Sequence, residues 1–164
     1  MNTGVIPIAL LGGAIAVAIY MGPVWDDPAS ADDVPTSFYM QGDCRAEIEG
    51  RVSFCSPGVV MLRVARDVTF ISFERRGRLF TFKGKEWERQ ADGSFRVEVE
   101  RVGQHSEGDA KAPYGSAQGE CLVQTRGGLA GPFTVIECTA QPRGQQHRLK
   151  FRLDKITRFE SGKI

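Results

Sequence analysis

The sequence has few of the residues that carry out chemistry. Two histidines, His105 and His147, and four cysteines occur among its 164 residues. The cysteines form no C-x-x-C pair, which argues against a zinc ribbon or a thioredoxin-like redox site. Nothing groups the histidines with carboxylates or a serine, so neither a metal site nor a Ser-His-Asp constellation is predicted. The sequence therefore predicts no catalytic residue, metal ligand or cofactor, and it favours a non-enzymatic protein.

A strong charge imbalance and a phosphate-binding loop are also lacking. The formal net charge is +1, which gives no reason to expect nucleic acid as a partner. The glycine-rich residues 126–131 follow one strand-like segment and lead into another. They have neither the helix N-terminus nor the Lys-Ser/Thr ending that cradles phosphate. We interpret them as a flexible hairpin turn.

Charged side chains are absent from residues 4–25, most of which are small or aliphatic. A helix of this length would measure about 33 Å, enough to cross a hydrocarbon core of about 30 Å. We therefore predict an apolar helix in residues 1–25 and favour a transmembrane anchor, with Tyr20 and Trp25 as interfacial aromatics. The alternatives are a signal peptide cleaved after Ala31 and a buried core helix.

Residues 26–36 form the predicted linker between this helix and a β-rich domain over residues 37–164. The linker contains two prolines and four aspartates, a composition typical of an extended segment. Anchor and signal peptide both place the domain outside the cytoplasm. We expect it in the cell envelope, anchored in the membrane and facing the periplasm, with the N-terminus in the cytoplasm. If the N-terminus is cleaved, the domain would be secreted to the periplasm.

Two cysteine-bounded segments predict the disulfides. Residues 44–55 alternate between apolar or small and polar side chains, which is typical of half-buried strands. A turn at Glu49-Gly50 would bring Cys44 opposite Cys55, within disulfide distance. Residues 121–138 fold back in the same way about their glycine-rich turn. We predict the pairs Cys44–Cys55 and Cys121–Cys138, which are typical of an oxidising compartment.

The two cysteine hairpins begin alike. Gln118-Gly-Glu-Cys121 repeats Gln41-Gly-Asp-Cys44. Four similar positions are too few to establish an internal duplication. The repeat predicts that a disulfide-bridged hairpin occurs twice in the chain.

The rest of the chain alternates between strand-like segments and turn signals. The predicted strands are residues 37–40, 59–64, 68–75, 78–83, 85–90, 94–101, 147–153 and 156–159. A turn at Arg76-Gly77 would place Phe73 opposite Phe80 and Ile71 opposite Phe82, an aromatic ladder that we assign to the core. Residues 103–117 lack periodicity and are predicted as a long mobile loop.

These segments predict an all-β domain behind the N-terminal helix. No segment after residue 33 has helical periodicity. Regular turn signals are typical of about nine to eleven antiparallel strands in a β-sandwich or a partly closed barrel.

The C-terminal segment carries a candidate basic binding face. Its members are Arg148, Lys150, Arg152, Lys155 and Arg158. Such a segment can bind an anionic partner, although it is more often a solvated strand face.

For function, the sequence favours a membrane-anchored, non-enzymatic β-domain that serves as a binding or structural module of the cell envelope. Its partners would be the membrane, through the N-terminal helix, and another envelope protein or an anionic polymer. The alternative is a lipocalin-like barrel that binds a small molecule, with or without hydrolytic activity. A deep apolar pocket would favour that alternative, and its expected lining is Phe70, Phe73, Phe80, Phe82 and Trp87. A filled core and a flat basic face would favour the first function.

Overall fold

The computed structural model describes residues 36–65, 68–106, 113–126 and 132–163. The predicted apolar helix in residues 1–25 lies outside the described residues, as does the linker up to residue 35. In the described part of the chain, no helix is long and apolar enough to cross a membrane.

The described residues form nine antiparallel strands. They are β1 (Thr36–Ile48), β2 (Arg51–Phe54), β3 (Gly58–Ala65), β4 (Val68–Arg75), β5 (Arg78–Arg89), β6 (Phe95–Ser106), β7 (Gly115–Thr125), β8 (Phe133–Pro142) and β9 (Leu149–Lys163). They form one sheet in the order β2-β1-β3-β4-β5-β6-β7-β8-β9, in which β1 also pairs with β9. The predicted all-β antiparallel fold is confirmed.

Two of the hairpins close through the two-residue turns that the sequence predicted. Glu49 and Gly50 have φ angles of 54° and 72°, and Arg76 and Gly77 have φ angles of 53° and 71°. Two successive positive φ angles are typical of the type I′ turn, whose twist matches that of antiparallel strands. The second turn sets the predicted register, with Phe73 opposite Phe80 and Ile71 opposite Phe82.

The sheet closes because β1 has neighbours on both sides. One edge of β1 pairs with β9 along nearly its whole length. The other edge pairs with β2 in its C-terminal half and with β3 in its N-terminal half. β2 and β3 therefore act as one interrupted strand, with the break at residues 55–57. The result is a closed eight-stranded barrel, rather than a sandwich or a partly closed sheet.

The register around this barrel is staggered by twelve residues. A path along paired residues leaves β1 at one position and returns to it twelve positions earlier. The path is Ile48, Leu149, Ala140, Gly119, Val99, Gly84, Thr69, Arg63 and Thr36. A large stagger tilts the strands and widens the barrel. The interior of this barrel therefore needs bulky side chains to fill it.

Aromatic rings fill the middle of the barrel. The ring centroid of Phe151 lies 5.1 Å from that of Phe73, 5.0 Å from that of Phe80 and 5.8 Å from that of Phe82. Phe73, Phe82 and Phe151 are at most 1% exposed. The aromatic ladder is therefore core, as predicted. Phe70 instead lies half-buried on the outer surface, where Lys83 approaches its ring, and the side chain of Trp87 lies outside the described residues.

Both predicted disulfides are confirmed. Cys44 and Cys55 have Cα atoms 5.1 Å apart, and this bridge ties β1 to the break between β2 and β3. Cys121 and Cys138 lie directly opposite one another on β7 and β8, with Cα atoms 4.0 Å apart.

The predicted loop over residues 103–117 is wrong at both ends. β6 continues to Ser106 and β7 already begins at Gly115. Gly103 is buried within β6 because His105 and Tyr114 cover the space where a side chain would lie. Similarly, residues 78–83 and 85–90 were predicted as two strands but form the single strand β5. Its register shifts at Gly84 interrupt the alternation without ending the strand.

Gly119 and Gly115 on β7 provide a matched test of how closely the strands approach. A Cβ atom at Gly119 would overlap the carbonyl oxygen of Thr139 and lie 2.6 Å from the Cα atom of Ala140. At Gly115, the nearest atom would be 3.9 Å away. We expect Gly119→Ala to lower the free energy of unfolding by about 2 kcal/mol or more. Gly115→Ala should change it by less than about 0.5 kcal/mol. Urea unfolding followed by circular dichroism measures both, and equal effects would contradict the close approach of β7 and β8.

Candidate functional site

One end of the barrel opens into a cavity of about 1060 Å³. The connections β1–β2, β4–β5, β6–β7 and β8–β9 lie at this end, whereas β1 starts and β9 finishes at the other end. The described lining includes four arginines: Arg75, Arg76, Arg78 and Arg143. We call this opening, defined by these four residues, the arginine mouth.

The β4–β5 hairpin supplies three of these arginines. Arg75 and Arg78 pair across the turn that contains Arg76. Glu74 holds the turn, because its Oε1 atom accepts a hydrogen bond from the backbone N–H of Gly77 at 3.0 Å. Its other carboxylate oxygen accepts a hydrogen bond from the hydroxyl of Ser56. The bond from Ser56 and then that from Gly77 lower the pKa of Glu74 below its ordinary value. An ionised carboxylate therefore orders the segment that carries the arginines.

The fourth arginine approaches from the opposite side of the opening. Arg143 lies in the connection between β8 and β9, four strands around the barrel from the β4–β5 hairpin. Its backbone N–H donates a hydrogen bond to the carbonyl of Ser116 at 2.8 Å. Across the opening, the Nε atom of Arg75 donates to the Oγ atom of Ser53 at 2.7 Å. Arginines on two opposite sides of the opening are thus attached to the barrel wall.

Arginines outnumber acidic residues in the described lining of the mouth. Glu49 is the single acidic residue in the described lining. Within the part of the chain that the structure describes, none of the four arginines forms an ion pair. Guanidinium groups bind carboxylates and phosphates through paired hydrogen bonds. The mouth therefore offers a place for an anionic group.

The core closes the floor of the mouth. The floor contains Phe80, Val102 and Leu149, which are 5%, 9% and 9% exposed. Behind Phe80 lies the aromatic cluster around Phe151. A ligand would therefore be held at the rim of the barrel, rather than in its interior.

A second space of about 540 Å³ lies next to the mouth. Ser116, Pro142, Arg143 and Gln145 line both spaces. Three glutamines, Gln118, Gln141 and Gln145, contribute to the lining of the second space. We call it the glutamine groove. The two spaces are therefore neighbours that share part of their lining.

Four of the five residues of the predicted basic face have acidic partners. Lys150 and Arg152 both contact Glu137, at 3.0 and 2.9 Å. Burial raises the pKa of Glu137, but the hydrogen bonds from Arg152 and Lys150 outweigh it, and the pKa lies below its ordinary value. The other contacts are Arg152 with Asp154, Lys155 with Asp43 and Arg158 with Glu160. Arg148 is exposed. Binding at this face stays a prediction, and most of its positive charge is compensated.

Sequence reasoning missed the arginine mouth. Three of its members lie in the run Arg75-Arg76-Gly77-Arg78, from which only a turn was predicted. A cluster of cations around a predicted turn could have indicated a basic site. The contribution of Arg143 had no local signal, because closure of the barrel brings it to the same opening.

The ionised Glu74 generates a prediction for pH dependence. Its folded-state pKa is depressed, so its contribution to stability is present above the unfolded pKa of about 4.3 and is lost as the pH falls through the folded value. We expect Glu74→Gln to lower the urea midpoint near pH 6, with the difference from wild type shrinking towards about pH 3. Glu88→Gln, at an exposed position on β5, is the control and should change little at either pH. A deficit of Glu74→Gln that is the same at both pH values would contradict the role of this carboxylate.

The histidines remain separate from the mouth. His105 lies on the outer wall with its ring centroid 5.1 Å from that of Tyr114, and His147 is exposed before β9. Among the described residues, no three or more His, Cys, Asp and Glu side chains come together as a metal site. In comparisons with known proteins, no protein family, curated protein or solved structure matches the chain.

Proposed function

We propose that the protein is a non-enzymatic binding module of the cell envelope that captures an anionic group of its partner at the arginine mouth. The observation that carries this proposal is the convergence of four arginines from opposite sides of one opening. They have no ion-pair partner within the described residues. Guanidinium groups at a shared opening are suited to a carboxylate or phosphate.

The location of the protein is part of the proposal. Two disulfides are typical of an oxidising compartment outside the cytoplasm. The uncharged residues 4–25 support a membrane anchor, with the domain on the periplasmic side. Thr36, the first described residue, lies at the end of the barrel opposite the mouth.

The packed interior argues against the alternative function of a lipocalin-like carrier. Such a carrier needs an apolar cavity inside the barrel. Here the rings of Phe73, Phe80, Phe82 and Phe151 occupy the middle of the interior. A ligand at the rim is compatible with this packing, because it requires no displacement of the core.

Citrate is a suitable probe of the mouth because it carries several carboxylates and no large apolar group. We expect the full chain, in a non-ionic detergent at low salt, to bind citrate in isothermal titration calorimetry. Arg76→Gln with Arg143→Gln should weaken binding at least about tenfold, because hydrogen bonds to charged groups are the stronger kind. Added salt should also weaken it, because the mouth is open to solvent.

The matched control removes the same charge from the opposite end of the barrel. Arg89 and Arg126 are exposed there, at the end of β5 and just after β7. Arg89→Gln with Arg126→Gln should leave citrate affinity within about twofold at fixed salt. Failure of the wild-type chain to bind citrate, or equal losses in both double variants, would overturn the proposal.

A further inference from the structure

We propose that the arginine mouth and the glutamine groove form one extended site for an anionic polysaccharide. The inference rests on the proposed function, because the mouth supplies the contacts with the acidic groups of the polymer. The groove adds neutral amide side chains next to the arginines of the mouth. The two together indicate which class of anion the site accommodates.

The shared lining of the two spaces is the first observation. They share the residues around Ser116 and Arg143, where the β8–β9 connection is tied to β7 by the hydrogen bond between these two residues. Their volumes of about 1060 and 540 Å³ exceed what one carboxylate or phosphate group fills. A ligand that uses both spaces is therefore longer than one such group.

The lining of the groove is the second observation. Gln118 and Gln141 lie directly opposite one another on β7 and β8, and both are exposed. The side-chain nitrogen of Gln141 donates to the carbonyl of Gln145 at 3.1 Å, which holds one amide against the turn. An amide side chain both donates and accepts hydrogen bonds, as does a hydroxyl group. Paired amides are thus suited to the hydroxyl groups of sugars.

The same lining disfavours other polyanions. A nucleic acid would need exposed rings on which bases stack, and the aromatic residue in the described lining, Phe80, is 5% exposed. An acidic peptide of mixed sequence would gain from pockets for apolar side chains. The described groove offers only Ala117 and Pro142 as apolar lining. A polymer that carries carboxylates and hydroxyls but no apolar groups can contact the arginines of the mouth and the amides of the groove.

A hexamer of galacturonate tests the extended site on the full chain in detergent. We expect the hexamer to bind at least about tenfold more tightly than monomeric galacturonate, because it reaches both spaces. Gln118→Ala with Gln141→Ala should weaken hexamer binding about fivefold or more, since it removes two hydrogen-bonding groups. The same variant should keep citrate affinity within about twofold, because citrate requires only the mouth. Gln90→Ala with Gln124→Ala, outside the groove, is the matched control and should not affect either ligand.

The outcomes separate the two proposals. If citrate binds but the hexamer binds no better than the monomer, the extended site is overturned and the proposed function stands. If citrate does not bind the wild-type chain, the proposed function is overturned. The extended site, which rests on it, is then overturned as well. If polyglutamate binds as tightly as the hexamer and independently of Gln118 and Gln141, the partner is a polypeptide and the polysaccharide inference is overturned.

Discussion

The pairing of β1 with strands on both of its edges is the constraint on which the rest of the structure depends. β1 pairs with β9 on one side and with the interrupted strand β2–β3 on the other. Closure with a stagger of twelve residues produces a wide interior that must be filled with bulky groups. The aromatic cluster around Phe151 fills it. The ends of the barrel are then the places left for a ligand, and the arginines lie at one of them.

Both disulfides lie near a close approach of two backbones. Gly42 and Gly119 each lie two residues before a buried cysteine, and a Cβ atom at either position would overlap a carbonyl oxygen of the neighbouring strand. The cysteine that follows points into the core, where Cys44 and Cys121 are at most 3% exposed. In both copies of the Gln-Gly-acidic-Cys motif, the glycine allows a close approach to a neighbouring strand and the cysteine forms a disulfide. The neighbour is β9 for Gly42 and β8 for Gly119. No duplication is needed to explain the repeated motif.

The features that could be predicted from the sequence are those that depend on residues close together in the chain. The turns at Glu49-Gly50 and Arg76-Gly77, their registers and both disulfides follow from alternation and turn chemistry within short segments. Closure of the barrel was beyond such reasoning, because it depends on which distant strands meet. The same holds for the mouth, where Arg143 joins a hairpin that lies far from it in sequence. Likewise, the carboxylates that compensate Lys150 and Lys155 lie on neighbouring strands, so the C-terminal segment alone looked more basic than the folded surface is.

The central claim is that the filled barrel binds anions at one end. Nuclear magnetic resonance of the isotopically labelled chain during a citrate titration tests it most directly, because each backbone amide reports on its own surroundings. If citrate binds at the arginine mouth, we expect chemical-shift changes that concentrate at residues 75–78 and 143–145. The chemical shifts of the amides of Phe73 and Phe151 should not change. Changes that concentrate in the core strands, or at the opposite end in residues 90–94, would contradict it.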